Sequence, residues 1–116
     1  MKNNKILIVE DQRIVATVYS IQLQKKGYVV GIAANFNDAY TKAKELTPGL
    51  IIMDVQLNEK LTGIDLARKL RNEGFDGLII FTTGNLHKNT VQEVADITQC
   101  HVLIKPVEFS EIEKLL

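Results

Sequence analysis

The sequence predicts a doubly wound (βα)5 domain, in which five parallel strands form one sheet covered by helices on both faces. Three observations lead there. Four apolar runs, Ile6–Val9, Leu50–Met53, Leu78–Phe81 and Val102–Ile104, are short and continuous instead of alternating with polar residues. Strands of that kind need burial on both faces, which a parallel sheet between helical layers supplies. The stretches between them place apolar residues three or four apart, as helices do. A chain of 116 residues also matches one domain, with enough core to fold without disulfides or a structural metal.

In chain order, the first run is a strand. Ile14, Val18 and Ile21, at i, i+4 and i+7, predict a first helix that stops near Gly27. A weaker run, Val29-Val30-Gly31-Ile32-Ala33, supplies the second strand. Ala39/Tyr40, Ala43 and Leu46 set the second helix, with Asn35 as N-cap, Asp38 three residues on and Pro48 closing the segment. The third strand is Leu50–Met53. Leu66/Ala67 and Leu70 mark a third helix that frays near Gly74, ahead of the fourth strand at Leu78–Phe81. Val91, Val94 and Ala95 mark a fourth helix, and Val102–Ile104 is the fifth strand. Ser110 and Glu113 make a capping-box pattern that opens a fifth helix. Only about two turns remain before Leu116, so the domain over 1–116 is expected to be the N-terminal part of a longer protein. Right-handed crossovers join these units into one sheet.

Composition narrows the function. Fourteen Lys+Arg balance fourteen Asp+Glu, whereas nucleic-acid binding draws its affinity from an excess of cations facing phosphates. Direct DNA or RNA contact is therefore not expected. Cys100 is the lone cysteine, which fits a reducing cytoplasm, and neither His87 nor His101 stands at zinc-ligand spacing to it. No apolar run approaches the ~20 residues of a membrane span, and Met1-Lys2-Asn3-Asn4 leads straight into a strand without a signal-peptide core. The expectation is a soluble cytoplasmic domain.

Ligands of doubly wound sheets gather at the carboxyl ends of the strands. Glu10-Asp11 follow the first strand, Asp54 ends the third, Thr82-Thr83-Gly84 follow the fourth and Lys105-Pro106 the fifth. Three carboxylates and one ammonium there sum to −2, a crowding that is costly unless a cation sits among them. An all-oxygen site suits Mg²⁺, which can then accept a phosphoryl oxygen. Beside such an ion a strand-end carboxylate can act as nucleophile and form an acyl phosphate. Lys105 and Thr82 are groups that hold phosphoryl oxygens by charge and by hydrogen bond.

Ile-Leu-Ile-Val-Glu10-Asp11, Ile-Ile-Met-Asp54, Phe-Thr82-Thr83 and Ile-Lys105-Pro106, in that order and over the whole chain, resemble the receiver domain of two-component response regulators, a flavodoxin-like fold. The resemblance implies that Asp54 takes a phosphoryl group from a phosphohistidine of a sensor histidine kinase or phosphotransfer protein. It implies that Asp11 ligates Mg²⁺ with support from Glu10, that Asp54 shares the ion, and that Gln56 contributes its backbone carbonyl. Thr82 would swing toward the phosphoryl oxygens and Lys105 would pair with them, across a cis Lys105–Pro106 bond. The switched surface would lie around the fourth helix and fifth strand, a face through which the family often forms a homodimer.

Some positions depart from the family pattern. Val102 stands where a Tyr or Phe usually rotates to report phosphorylation. The loop after Asp54 reads Leu57-Asn58 in place of Met-Pro, Gly63 comes one residue later than is commonest, and Thr83 replaces a small residue. These bear on the output more than on the phosphoryl chemistry. A receiver-like docking module with weak or no phosphorylation-dependent switching is the nearest alternative. An aspartyl-nucleophile phosphohydrolase is more distant, because Gln56 stands where such enzymes carry a proton-transferring Asp. A nucleotide-binding unit would need glycines where Glu10-Asp11-Gln12-Arg13 stand, and two carboxylates there repel a pyrophosphate. The chain is read as a non-turnover phospho-acceptor, not an enzyme.

Overall fold

The computed structural model describes residues 2–57, 60–84 and 92–116. Strands β1 (Lys5–Val9), β2 (Val29–Ala33), β3 (Leu50–Asp54), β4 (Leu78–Thr83) and β5 (Cys100–Ile104) alternate with helices α1 (Arg13–Lys25), α2 (Phe36–Leu46), α3 (Gly63–Asn72) and, after β5, α4 (Phe109–Glu113). All four strand pairings are parallel, and the order across the sheet is β2-β1-β3-β4-β5. The chain therefore reverses its direction of winding between β1 and β3, which places the crevice at their carboxyl ends.

The continuous apolar strands are explained by alternation between two cores. Leu7, Val9, Ile51, Met53, Ile79 and Phe81 pack beneath α2 and α3. Ile6, Ile8, Leu50, Ile52 and Ile80 face the other way, toward α1 and α4. Ile6 to Val9 are each 1% exposed or less, and burying one such side chain stabilises the fold by about 1.5–3 kcal/mol. The sequence offered no polar face for these strands because the sheet has none in its centre.

The helix boundaries follow local chemistry. Asn35 Oδ1 accepts from the Asp38 N–H at 2.8 Å, capping α2 as expected. Gly27 and Gly74 adopt φ of +96° and +97° just past α1 and α3, a conformation that costs glycine little. The start of the last helix differs from expectation. Glu108 is the N-cap and the Glu111 carboxylate accepts its N–H at 3.0 Å, so the box lies two residues before the Ser110/Glu113 pattern. Thr62 and Asp65 form a reciprocal box at α3, a T-x-x-D signal that the sequence carried openly. Of the helix expected around Val91, Val94 and Ala95, Val91 lies outside the described residues. Residues 92–94 are helical, Val94 is buried and Ala95 is exposed.

Helix α1 holds the largest surprise. Ile14, Val18 and Ile21, the spacing that revealed the helix, are 81%, 48% and 48% exposed. Its buried residues are Ala16, Ser20 and Leu23. These three residues face the core, and the apolar stripe is left to solvent.

Candidate functional site at the carboxyl edge of the sheet

The site is assembled by strand polarity. β1, β3 and β4 end together, with Val9 beside Met53 and Asp54 beside Thr82 in the ladder. The residues that leave these strands then meet. One carboxylate oxygen from each of Glu10, Asp11 and Asp54 lies within 4.8 Å of the others. Such a set of hard oxygen donors fits a small divalent cation such as Mg²⁺. Lys105 reaches in from beyond β5, with Nζ 2.8 Å from Asp54 Oδ2 and 3.3 Å from Glu10 Oε2. The Lys105–Pro106 peptide is cis, as the resemblance implied.

Backbone contacts hold the pieces in place. The Glu10 N–H donates to the Ala33 carbonyl at 3.0 Å, and Glu10 Oε1 accepts from the Gln12 N–H at 3.1 Å. The Gln56 N–H donates to Asp54 Oδ1 at 3.0 Å, while the Gln56 side chain is exposed. The Val55 N–H donates to the Thr82 carbonyl at 2.9 Å, which ties the end of β3 to β4. Glu10, Asp54, Thr82 and Thr83 are all buried, and Asp11 is half-buried.

Burial dominates the electrostatics. It raises the Glu10 carboxyl to about 7; the Gln12 N–H bond and Lys105 oppose the rise, and the Asp54 charge and an Asp11 hydrogen bond add to it. Burial works against the charge on Lys105, but the hydrogen bond and charge of Asp54 and the charge of Glu10 outweigh it, so its pKa is raised. Lys105 is therefore a fixed cation, and without a metal the acids face it in excess.

The structure thus brings together Glu10, Asp11, Asp54 and Lys105, with Thr82 beside Asp54 and the Gln56 backbone on its carboxylate. Val102 stands apart. It lies half-buried in β5, opposite Phe81 in the ladder, and packs on the core beneath α2 and α3. Two features escaped the sequence reading. A groove of about 540 Å³ runs from Glu10, Thr82 and Lys105 along Ile14 and Val18 of α1. Tyr19 forms part of its wall, and its hydroxyl donates to the Val107 carbonyl at 2.9 Å. The exposed stripe of α1 is therefore continuous with the mouth of the site. Among the described residues, no helix is long and apolar enough to cross a membrane.

Comparison with known proteins agrees with this geometry. The family model for the response regulator receiver domain matches residues 6–116. The transcriptional regulatory protein CitB of Klebsiella pneumoniae is 32% identical over 112 residues, 95% of this chain and 47% of that protein. The two-component response regulator PhoP of Pseudomonas aeruginosa is 31% identical over 114 residues, 97% of this chain and 49% of that protein. The chain thus spans about half the length of these curated relatives. Among solved structures, the chemotaxis protein CheY4 of Vibrio cholerae superposes with a TM-score of 0.85 at 25% identity, covering 97% of this chain and 98% of that one. A CheY-like receiver domain protein from Methanospirillum hungatei gives 0.86 at 25% identity, covering 97% and 93%. With the fold, the acidic crevice and the family model in agreement over nearly its whole length, the chain belongs to the response regulator receiver domains.

Proposed function

We propose that the chain is a phospho-acceptor in a two-component phosphorelay, with Asp54 as the residue phosphorylated. The observation that carries this reading is the placement of Asp54 at a buried strand end, 2.8 Å from Lys105 and within 4.8 Å of two further carboxylates. Glu10 and Asp11 would hold Mg²⁺ with Asp54 and the Gln56 carbonyl, and the ion would supply the positive charge that a phosphoryl group needs to approach three acids. An Asp54 carboxylate oxygen attacks phosphorus, while the phosphorus–nitrogen bond of the donor phosphohistidine breaks and its electron pair stays on the imidazole. Lys105 holds a phosphoryl oxygen by charge, and Thr82 holds another by its hydroxyl. The transfer is stoichiometric, so the domain assists its own phosphorylation and dephosphorylation without turning over a substrate.

The donor would be a histidine kinase or histidine phosphotransfer protein in the cytoplasm. Its docking face would cover Ile14, Val18 and Ile21, the first two of which line the groove that opens at Glu10, Thr82 and Lys105. An apolar stripe of this kind at the mouth of a charged site suits a partner's amphipathic helix. Val18→Asp is expected to leave phosphorylation by acetyl phosphate unchanged and to slow transfer from a phosphorylated histidine donor protein. Equal rates from the protein donor would remove α1 from the docking face.

Val102 favours a second reading of the output. An aliphatic side chain packed on the core has no ring to rotate, so phosphorylation could alter docking without the aromatic switch. The primary test is the mass gain of the intact protein with acetyl phosphate, with and without Mg²⁺. One phosphoryl group is expected, dependent on Mg²⁺ and absent in Asp54→Asn. Unchanged incorporation in that variant would place the acceptor elsewhere.

A further inference from the structure

We infer that Gly63, at the first position of α3, is a positioning residue for the Asp54 carboxylate, an inference that rests on the phospho-acceptor reading of that site. A side-chain carbon added at Gly63 would stand 2.1 Å from the Asp54 carbonyl oxygen, 2.9 Å from Met53 Cγ and 3.1 Å from the Asp54 carbonyl carbon. The first of these is backbone at the end of a buried strand and has no free rotation with which to yield. The requirement is one of space.

The close approach is held from both sides. The Gly63 N–H donates to the Val55 carbonyl at 2.8 Å, and the Val55 N–H donates to Thr82 at 2.9 Å. Val55 is thereby held at both ends, its N–H by β4 and its carbonyl, in the peptide shared with Gln56, by the start of α3. The next amide, Gln56 N–H, sets the Asp54 carboxylate through its bond to Oδ1. Thr62 and Asp65 cap the first turn of α3 reciprocally, and Ile64 and Leu66 bury it, so the helix start is a rigid seat. A side chain at 63 must lift either this turn or the acceptor peptide. Because Leu50 to Met53 are buried on both faces of the sheet, the displacement falls on the segment that carries Asp54 and Gln56. Groups that orient metal ligands typically change metal affinity about 10- to 100-fold when altered, and a shift of about 1 Å at a reacting group can cost about 100-fold.

Gly77 provides a matched control. An added carbon there would meet the Phe75 ring at 2.6 Å and the Gly49 carbonyl at 2.9 Å. That clash lies at the opposite edge of the sheet, before β4 begins. Gly63→Ala and Gly77→Ala would be compared by thermal melting, by calorimetric Mg²⁺ titration and by amide NMR of the metal-free protein. Both are expected to melt lower. Gly63→Ala alone should weaken Mg²⁺ about tenfold or more and move the Val55 and Gln56 amide resonances. Mg²⁺ affinity and site resonances that change equally little in both variants would reduce Gly63 to ordinary packing and overturn the inference. If Gly63→Ala does not fold, Thr62→Val decides: it removes the hydroxyl cap of the same turn without altering charge. Weaker Mg²⁺ binding in Thr62→Val supports the seat, and unaltered binding overturns it. The unmodified chain, run alongside with acetyl phosphate, separates this outcome from failure of the phospho-acceptor reading itself.

Discussion

Glu10 and Glu73 are the same residue type at opposite edges of the molecule, and their surroundings drive them in opposite directions. At the carboxyl edge, burial beside Asp54 and Asp11 lifts Glu10 to about 7. At the amino edge, Glu73 accepts hydrogen bonds from Lys44 and Tyr40 and is joined by Lys69, and it falls to about 2. Lys44 and Lys69 also stand over the Tyr40 ring, at 5.1 and 4.9 Å from its centre. Among the described residues, one edge sets three acids against a single lysine inside the fold; the other sets one exposed acid against two lysines and a tyrosine hydroxyl. The difference teaches where function resides. The exposed cluster clamps α2 to α3, whereas a buried excess of acids is the kind of perturbed cluster that gathers at functional sites and offers oxygen ligands to a cation.

The larger effect should come from Glu10. Its folded pKa of about 7 lies above the ordinary 4.5, so between these values the folded state keeps a proton that the unfolded state has lost. Stability from this group is complete below pH 4.5 and is lost as pH rises through 7, by on the order of 3 kcal/mol. Melting in EDTA across this range should show the decline, and Mg²⁺ should recover it at the alkaline end. Glu10→Gln is expected to flatten the slope and weaken Mg²⁺ binding. An unchanged slope in that variant would mean that the crowding lies elsewhere.

Glu73 should show the opposite sign and a smaller effect. Its folded pKa is depressed, so its contribution is present above pH 4.5 and disappears as pH falls toward 2. The cluster is exposed, so Glu73→Gln should lower the melting temperature only slightly, most at low salt. Tyr40→Phe should do less again, since it removes one hydrogen bond and leaves both lysines over a ring. A loss in either variant as large as that at Glu10 would erase the contrast between the edges.

Much of this was legible in the sequence, for identifiable reasons. In a parallel sheet every strand ends at the same edge, so residues that follow apolar runs are neighbours however far apart they lie in the chain. Glu10, Asp54, Thr82 and Lys105 could be grouped on that ground alone. Asn35 could be assigned as a cap because capping is decided within four residues. Helix α1 was legible as a helix from Ile14, Val18 and Ile21, but periodicity reports that positions share a face and not what covers it. The buried face went instead to Ala16, Ser20 and Leu23. The last helix opened earlier than expected because two boxes lay within reach and Glu108/Glu111 formed the one whose hydrogen bond closed.

The sequence by itself determined the strand order of chemistry: which apolar runs build the sheet and which polar residues stand at their ends. Those are consequences of local pattern and of the single polarity of parallel strands. Tertiary structure alone decided that Lys105 reaches both Asp54 and Glu10, that Glu10 is buried deeply enough to hold a proton near neutrality, and that Gly63 touches the peptide of Asp54. Each of these depends on distances between segments joined only through the core. An ångström there changes a charge or a clash, and no spacing along the chain records it.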